Sequence, residues 1–274
     1  MPARPSGAEI DARWDYARPE ESERRFLALL ADVGPATESG AEVLTQIARS
    51  QGLQGKFEEA HRTLDRVEPL LGPHASRARA RYLLERGRVL NSSGQAAAAL
   101  PLFAHALGVA LAAGEEFYAV DAAHMIAIAS TGDGPLTWNR RGLAMVEGSR
   151  DPRVGRWRGS LYNNLGWAHH DRGEFDAALQ CFQDALRARA AQGDEALVRI
   201  ARWCVGRGLR SLGRVEEALA IQQDLLAEHR RLGTDAAETY EEIIACLEAL
   251  GRDEEARAYA AERTGTPAAP SPDP

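Results

Sequence analysis

The sequence contains almost no lysine and few aromatic residues. Lys56 is the single lysine among 33 basic residues, so nearly all of the positive charge is arginine. Aromatic side chains make up 6% of the 274 residues, and no segment resembles the β-branched and aromatic runs that are typical of strands. The abundant residues are alanine, leucine, glutamate and arginine, which favour helices. The sequence therefore predicts an all-α protein.

Two further absences limit the possible partners. The net charge is −7, whereas a protein that wraps a nucleic-acid backbone normally presents a basic face. No run of about 18 apolar residues occurs, and the first residues lack the apolar stretch of a secretory signal. We therefore expect a cytoplasmic protein with neither a nucleic-acid nor a membrane partner.

Cysteines are too few and too scattered for a structural framework. Cys181, Cys204 and Cys246 are odd in number, and none belongs to a Cys-x-x-Cys or Cys-x-x-His pair. The sequence predicts three free thiols, no metal site and no cofactor. No catalytic motif is present either, because the Ser-containing elbow, the zinc-binding helix and the phosphate-binding loop are all missing.

The chain repeats a short glycine-led string about every 39 residues. The intervals between successive leading glycines are 39, 40, 39, 40 and 38 residues. The strings are GKFEEA at 55–60, GQAAAA at 94–99, the weaker GPLTWN at 134–139, GEFDAA at 173–178, GRVEEA at 213–218 and GRDEEA at 251–256. A constant interval of this length is typical of a helical-repeat protein.

Each string predicts a helix–turn–helix unit. The glycine is expected to end one helix in the left-handed conformation, with a second helix starting about two residues later. Acidic pairs such as Glu58–Glu59 then complement the dipole of the second helix, and we interpret them as structural rather than catalytic. The alanine that ends most strings allows the two helix backbones to approach closely. Further glycines, Gly72, Gly114, Gly193 and Gly233, are expected to end the second helices.

This pattern resembles the tetratricopeptide repeat, in a variety with units longer than the common 34 residues. The fourth unit matches the motif position by position: Tyr162, Leu165, Gly166, His169, Gly173, Phe175, Ala178, Phe182 and Ala185. The third unit departs most, because Asn139 replaces the small alanine. The resemblance implies a right-handed superhelical solenoid whose first helices line the concave face, and bacterial peptide sensors and scaffolds are among its long-helix members.

The expected organisation is one solenoid over residues 13–264. A capping helix is predicted at 19–33, with Ser22 and Phe26 in the small and large positions, because terminal repeats must cover an exposed stack. Both ends, 1–12 and 265–274, are expected to be disordered. The six predicted helix pairs are 40–74, 78–114, 117–149, 157–193, 197–233 and 235–263.

A stripe along the first helices provides the candidate ligand-binding residues. Positions spaced 3, 4 and 3 residues apart share one helix face. In the first five units this stripe has five arginines against two acids, and the sixth unit is acidic. With an edge position added, the candidates are Arg49, Arg81, Arg88, Asn91, His124, Asn163, Asn164, Trp167, His170, Trp203, Arg207 and Arg210. Arginines of this kind can clamp carboxylates. The alternative is that the arginines are solvated or paired with neighbouring acids, and that Trp167 and Trp203 pack on each other.

Two functions fit these residues. The first is a non-catalytic scaffold or sensor that captures an extended, acidic or C-terminal peptide of a protein partner in a basic groove bearing asparagine and tryptophan. The second is an enzyme or accessory protein that uses groove residues on an anionic substrate, with Arg88, His124, Asn163, His170 and Arg207 as the candidates. A homodimer formed through a terminal repeat is a further possibility, since stacked repeats leave apolar ends.

Overall fold

A computed structural model describes residues 5–264, which form α-helices joined by short turns. No β-strand occurs within this range. The described α-helices are α1 Gly7–Asp11, α2 Pro19–Val33, α3 Glu38–Leu53, α4 Phe57–Asp65, α5 Ser76–Ser92, α6 Ala96–Ala112, α7 Glu116–Ala129, α8 Gly134–Gly148, α9 Trp157–His170, α10 Phe175–Gln192, α11 Glu195–Ser211, α12 Val215–Leu232, α13 Ala237–Ala249 and α14 Asp253–Thr264. From α2 to α8 and from α10 to α14, consecutive helices pack on each other, which confirms the predicted all-α helical-repeat fold.

The chain divides into two compact units at residues 157 and 158. Unit 1 is residues 1–157 and contains α1 to α8. Unit 2 is residues 158–274 and contains α9, apart from its first residue, to α14. Each unit has its own core, centred on Phe103 and Phe26 in unit 1 and on Phe182 in unit 2. The single solenoid over 13–264 stays a prediction.

The repeat glycines act as the sequence predicts in five of the six strings. Gly55, Gly94, Gly173, Gly213 and Gly251 have φ between 68° and 84°, a region that side-chain-bearing residues rarely adopt. In each case the next helix starts two residues later. Alanine at the end of these strings is buried, with an exposed fraction of at most 4%.

The third string breaks this rule. Gly134 is the first residue of α8 and not a left-handed turn residue, so its predicted role is wrong. The left-handed residue is Gly132, with φ 63°. Pro135 explains the shift, because proline lacks an N–H and favours the first turn of a helix. Asn139 takes the position of the usual alanine, where it is buried and its amide N–H donates to the carbonyl of Pro135 over 2.8 Å.

A glycine on the first helix faces a large residue of the second helix. A Cβ on Gly166 would lie 2.5 Å from the Phe182 ring, and one on Gly87 would lie 2.5 Å from the Phe103 ring. Any side chain would overlap these rings, so glycine sets the distance between the paired helices. Gly72, predicted to end a second helix, does not have a positive φ.

The N-terminal segment differs from the sequence prediction. Residues 1–12 were expected to be disordered, yet Gly7–Asp11 form helix α1. A capping box stabilises α1, because Ser6 Oγ accepts from the backbone N–H of Glu9 and the Glu9 carboxylate accepts from the N–H of Ser6. Ile10 is fully buried beside Phe26. Residues 265–274, for which disorder was also predicted, lie outside the described residues.

Candidate functional site

Arg81 is buried in unit 1 and bound to the N-terminal segment. Its side chain is 3% exposed, and Nη2 lies 3.0 Å from Oδ1 of Asp11. The guanidinium also lies over the Tyr118 ring, 4.8 Å from its centroid, a favourable cation–π arrangement. Burial raises the pKa of Tyr118 to about 12, so this phenol stays protonated.

Arg49 contacts the same segment from helix α3. Its Nη1 lies 3.3 Å from Oε1 of Glu85, and its guanidinium lies over the stacked rings of Trp14 and Tyr16. The indole N–H of Trp14 donates to Oε1 of Gln46 over 3.0 Å. Residues 5–16 therefore lie against the first helices of unit 1, on part of the face that was predicted to hold a partner.

Two further candidates of unit 1, Arg88 and His124, also contact other side chains of the chain. Arg88 forms ion pairs with both Glu85 and Asp121. The His124 ring lies 5.0 Å from that of Trp157, and burial lowers the pKa of His124 to about 4. Arg49 and Arg88 contribute to a small cavity of about 120 Å³, but Arg81, Asn91 and His124 do not line it.

In unit 2, the two arginine candidates share one carboxylate. Arg210 binds Glu242 through two hydrogen bonds of 2.8 Å each, and Nε of Arg207 lies 3.4 Å from the same carboxylate. Glu242 is buried. All five arginines of the predicted stripe are therefore ion-paired inside the chain, as the structural alternative proposed, and their charge does not make a free basic surface.

Predicted binding residues on helix α9 contact different side chains of helix α11. The thiol of Cys204 donates to Oδ1 of Asn163 over 3.3 Å, and Nε2 of His170 lies 2.9 Å from the Ser211 hydroxyl. The ring centroids of Trp167 and Trp203 are 6.2 Å apart with an interplanar angle of 37°. The two tryptophans therefore contact each other between successive first helices.

A cavity of about 520 Å³ in unit 2 brings together three of the predicted residues, Asn163, Trp167 and Trp203. Helices α9, α11 and α13 and the end of α12 with its following turn form the wall. Ile200, 50% exposed, supplies further apolar surface. The full lining is Asn163, Trp167, Ala196, Arg199, Ile200, Trp203, Cys204, His229, Thr234, Asp235, Glu238 and Thr239. Asn164, His170, Arg207 and Arg210 lie outside it.

Sequence reasoning missed several residues of this wall. Arg199 lies one position beside the predicted stripe of α11, and His229, Thr234 and Asp235 come from the region where α12 ends. Gly233, predicted to end this helix, has φ 64° and turns the chain so that Thr234 and Asp235 reach the cavity. In the sequence, Gly233 therefore indicated that a turn follows α12, but it did not indicate that Thr234 and Asp235 line a cavity.

The described residues provide no metal centre. Within residues 5–264, no group of three or more histidine, cysteine, aspartate or glutamate side chains could hold a metal ion. The three cysteines are buried free thiols, as predicted. In the same range, no helix is both long enough and apolar enough to cross a membrane.

Comparisons with known proteins agree with this geometry. A tetratricopeptide-repeat family model matches residues 158–191, which cover nearly all of α9 and α10. A signal-transduction ATPase with numerous domains and a tetratricopeptide-repeat sensor, from Pyrococcus horikoshii, is similar over 90% of this chain, with a TM-score of 0.71 and 12% identity. The fold is that of a tetratricopeptide-repeat protein. This chain spans only 39% of the length of the ATPase chain.

Two other tetratricopeptide-like structures are similar over 93% of the chain. RapI in its apo form has a TM-score of 0.66 and 11% identity, and NprR in complex with its cognate peptide NprX has a TM-score of 0.59 and 14% identity. The similarity extends over 76% of each of those chains. At such identities the similarity establishes the fold alone. Among curated protein sequences, none matches this chain.

Proposed function

We propose that this chain is a non-catalytic peptide-binding module, a scaffold or sensor, and that the unit 2 cavity holds an anchor side chain of the bound segment. The cavity is the observation that carries the proposal. It is open to solvent, and its apolar surface comes from Trp167, Ile200 and Trp203. Indole rings supply large contact area at low conformational cost, and binding energy concentrates on such anchors. A volume of about 520 Å³ suits one large side chain with adjoining backbone.

The peptide-bound relative supports this choice by analogy. NprR was solved with its cognate peptide, and its fold matches 93% of this chain. Function does not follow from fold, so the support for peptide binding comes from the cavity. Polar groups around it add to this surface: the Asn163 oxygen accepts from Cys204, and the amide N–H groups of the same side chain can donate to a peptide backbone.

The acidic or C-terminal peptide expected from the sequence has less support. That expectation relied on free arginines, but Arg49, Arg81, Arg88, Arg207 and Arg210 are each paired with a carboxylate of the chain. A ligand carboxylate would have to displace an existing ion pair. In unit 1 the chain's own Asp11 already takes the place beside Arg81. We therefore place the peptide at the cavity of unit 2 and not along the arginines.

The enzymatic alternative also has little support. Arg88 and His124 belong to unit 1, whereas Asn163, His170 and Arg207 belong to unit 2. In unit 2, Asn163 bonds to Cys204, and His170 and Arg207 both bond to Ser211. Asn163 and His170 are engaged in contacts between α9 and α11, and Arg207 bonds within α11, so these groups do not converge on the cavity as an acid–base pair.

A displayed random peptide library tests the proposal. The immobilised full chain should enrich peptides whose affinity, measured by fluorescence anisotropy, falls at least about tenfold in Ile200→Glu, because the new charge enters the apolar wall. Leu111→Glu is the matched control, since Leu111 is 59% exposed on α6 in unit 1 and should leave the affinity unchanged. Equal affinity of wild type and Ile200→Glu for every enriched peptide would exclude the cavity as the binding site.

A further inference from the structure

The charges on the wall of the unit 2 cavity are predominantly negative. The lining contains one arginine, Arg199, and two acids, Asp235 and Glu238. Arg199 is directed to a carboxylate, with Nη1 3.1 Å from Oε1 of Glu228. The acids are exposed, so the cavity presents carboxylate to an incoming ligand and its only lining arginine is already bound.

The two acids differ in the hydrogen bonds that they make within the chain. Asp235 accepts hydrogen bonds from the N–H groups of Ala236 and Ala237 and so contributes to the start of α13. Glu238 lies in the first turn of α13 and makes no ion pair or side-chain hydrogen bond with residues 5–264. Glu238 is therefore the carboxylate available to a ligand, while Asp235 adds negative potential beside it.

The two tryptophans of the wall also favour a positively charged ligand. Trp167 and Trp203 are adjacent in the cavity, with ring centroids 6.2 Å apart. The electron-rich face of an indole attracts cations, more strongly than the rings of tyrosine or phenylalanine do. Arginine and lysine also carry apolar stems that pack on apolar surface such as Ile200 while the charged end reaches a carboxylate.

We propose that the anchor is a cationic side chain, arginine or lysine, of the bound peptide. Its stem contacts Ile200 and the tryptophans, and its charged group pairs with Glu238 in the field of Asp235. This specificity rests on the proposed peptide-binding function, and it is opposite in charge to the acidic peptide that the arginine-rich sequence predicts. Charge complementarity at the cavity is what selects the occupant.

Three capped pentapeptides test the charge preference. They share the sequence glycine–alanine–X–alanine–glycine, where X is arginine, norleucine or glutamate, and they are titrated into the full chain while the tryptophan indole N–H signals are followed by NMR. The arginine peptide should bind at least about fivefold more tightly than the norleucine peptide, and the glutamate peptide more weakly than both. Raising the salt concentration should reduce the arginine preference.

Two matched variants assign the preference to the cavity. Glu238→Gln should reduce the arginine-to-norleucine ratio at least threefold. Glu248→Gln makes the same charge change on the same helix, at an exposed position outside the cavity, and should leave the ratio unchanged. An equal or tighter norleucine peptide, an unchanged ratio in Glu238→Gln, or no saturable binding of the arginine peptide would overturn the inference. The peptide-library selection tests peptide binding independently of this charge preference, so a failure of one can be told from a failure of the other.

Discussion

The carboxylate of Asp11 lies 3.0 Å from the guanidinium of Arg81, a side chain that is only 3% exposed. The two residues are 70 positions apart in the sequence. This pair joins the N-terminal helix α1 to helix α5, and Arg153 adds a second, longer contact of 3.9 Å to the same carboxylate. A peptide-like segment of the chain thereby takes the contact that the sequence pattern assigned to a partner.

Removing this carboxylate should destabilise unit 1. Asp11→Asn leaves the buried Arg81 charge without its carboxylate partner, and we expect it to lower the free energy of unfolding by about 1–3 kcal/mol. This is less than the loss of a fully buried pair would cost, because the Asp11 side chain is 23% exposed. Urea denaturation followed by circular dichroism measures the change. Glu217→Gln is the control, because its ion pair with Arg214 lies at the surface, where screening by solvent leaves such a pair little effect on stability. Equal effects of both variants would contradict the assigned role of Asp11.

The repeat positions could be predicted because they depend on local geometry. A left-handed turn strongly favours glycine, and a close helix pair requires glycine or alanine opposite a large ring, so Gly173 and Gly166 carry a direct structural signal. The same reasoning failed at Gly134, where the following proline favours a helix start. The Ser6–Glu9 capping box could have predicted helix α1, but the Pro-, Ala- and Gly-rich composition around it favoured a prediction of disorder.

Whether the arginines are free or ion-paired could not be predicted in the same way. Helical spacing places Arg88 and Arg210 on one face, but their partners Asp121 and Glu242 come from helices more than 30 residues away. Which acid approaches an arginine depends on how successive helices pack, and this is a tertiary property. The unit 2 cavity is similar, because Asp235 reaches it only through the turn after α12.

Gly166 should tolerate no side chain. Gly166→Ala places a Cβ 2.5 Å from the Phe182 ring, and we expect it to lower the free energy of unfolding by about 1–3 kcal/mol through overpacking. Gly108→Ala is a matched control on α6, where nothing lies within 4 Å of the new Cβ. That variant should be stabilising by about 0.5–1 kcal/mol, because alanine is the better helix former. Thermal melts of both variants check the opposite signs.

His124 should make unit 1 sensitive to acid. Burial lowers its pKa to about 4, against 6.5 for an ordinary histidine; Asp121 opposes this shift, while Arg88 and Arg49 add to it. The unfolded chain binds a proton near pH 6.5 that the folded chain does not bind until about pH 4, so stability falls as the pH falls through this window. Between pH 6.5 and 5 the loss is about 1.5 kcal/mol for this group.

The variant His124→Gln isolates that contribution. Its unfolding free energy should fall less between pH 6.5 and 5 than that of the wild type, because glutamine does not titrate. His74→Gln, at an exposed position before α5, should keep the wild-type slope. Identical slopes for all three proteins would show that His124 titrates normally in the folded chain.

The buried thiols should resist alkylation while the chain is folded. Burial raises the pKa of Cys204 and of Cys246 to about 11, and only the thiolate is a good nucleophile. At pH 8 the thiolate fraction of such a group is on the order of 0.1%. Iodoacetamide at that pH should therefore label the native chain slowly and the urea-unfolded chain at all three cysteines, as measured by mass spectrometry. Rapid labelling of Cys204 in the native chain would instead show that the cavity beside it opens enough to expose and ionise the thiol.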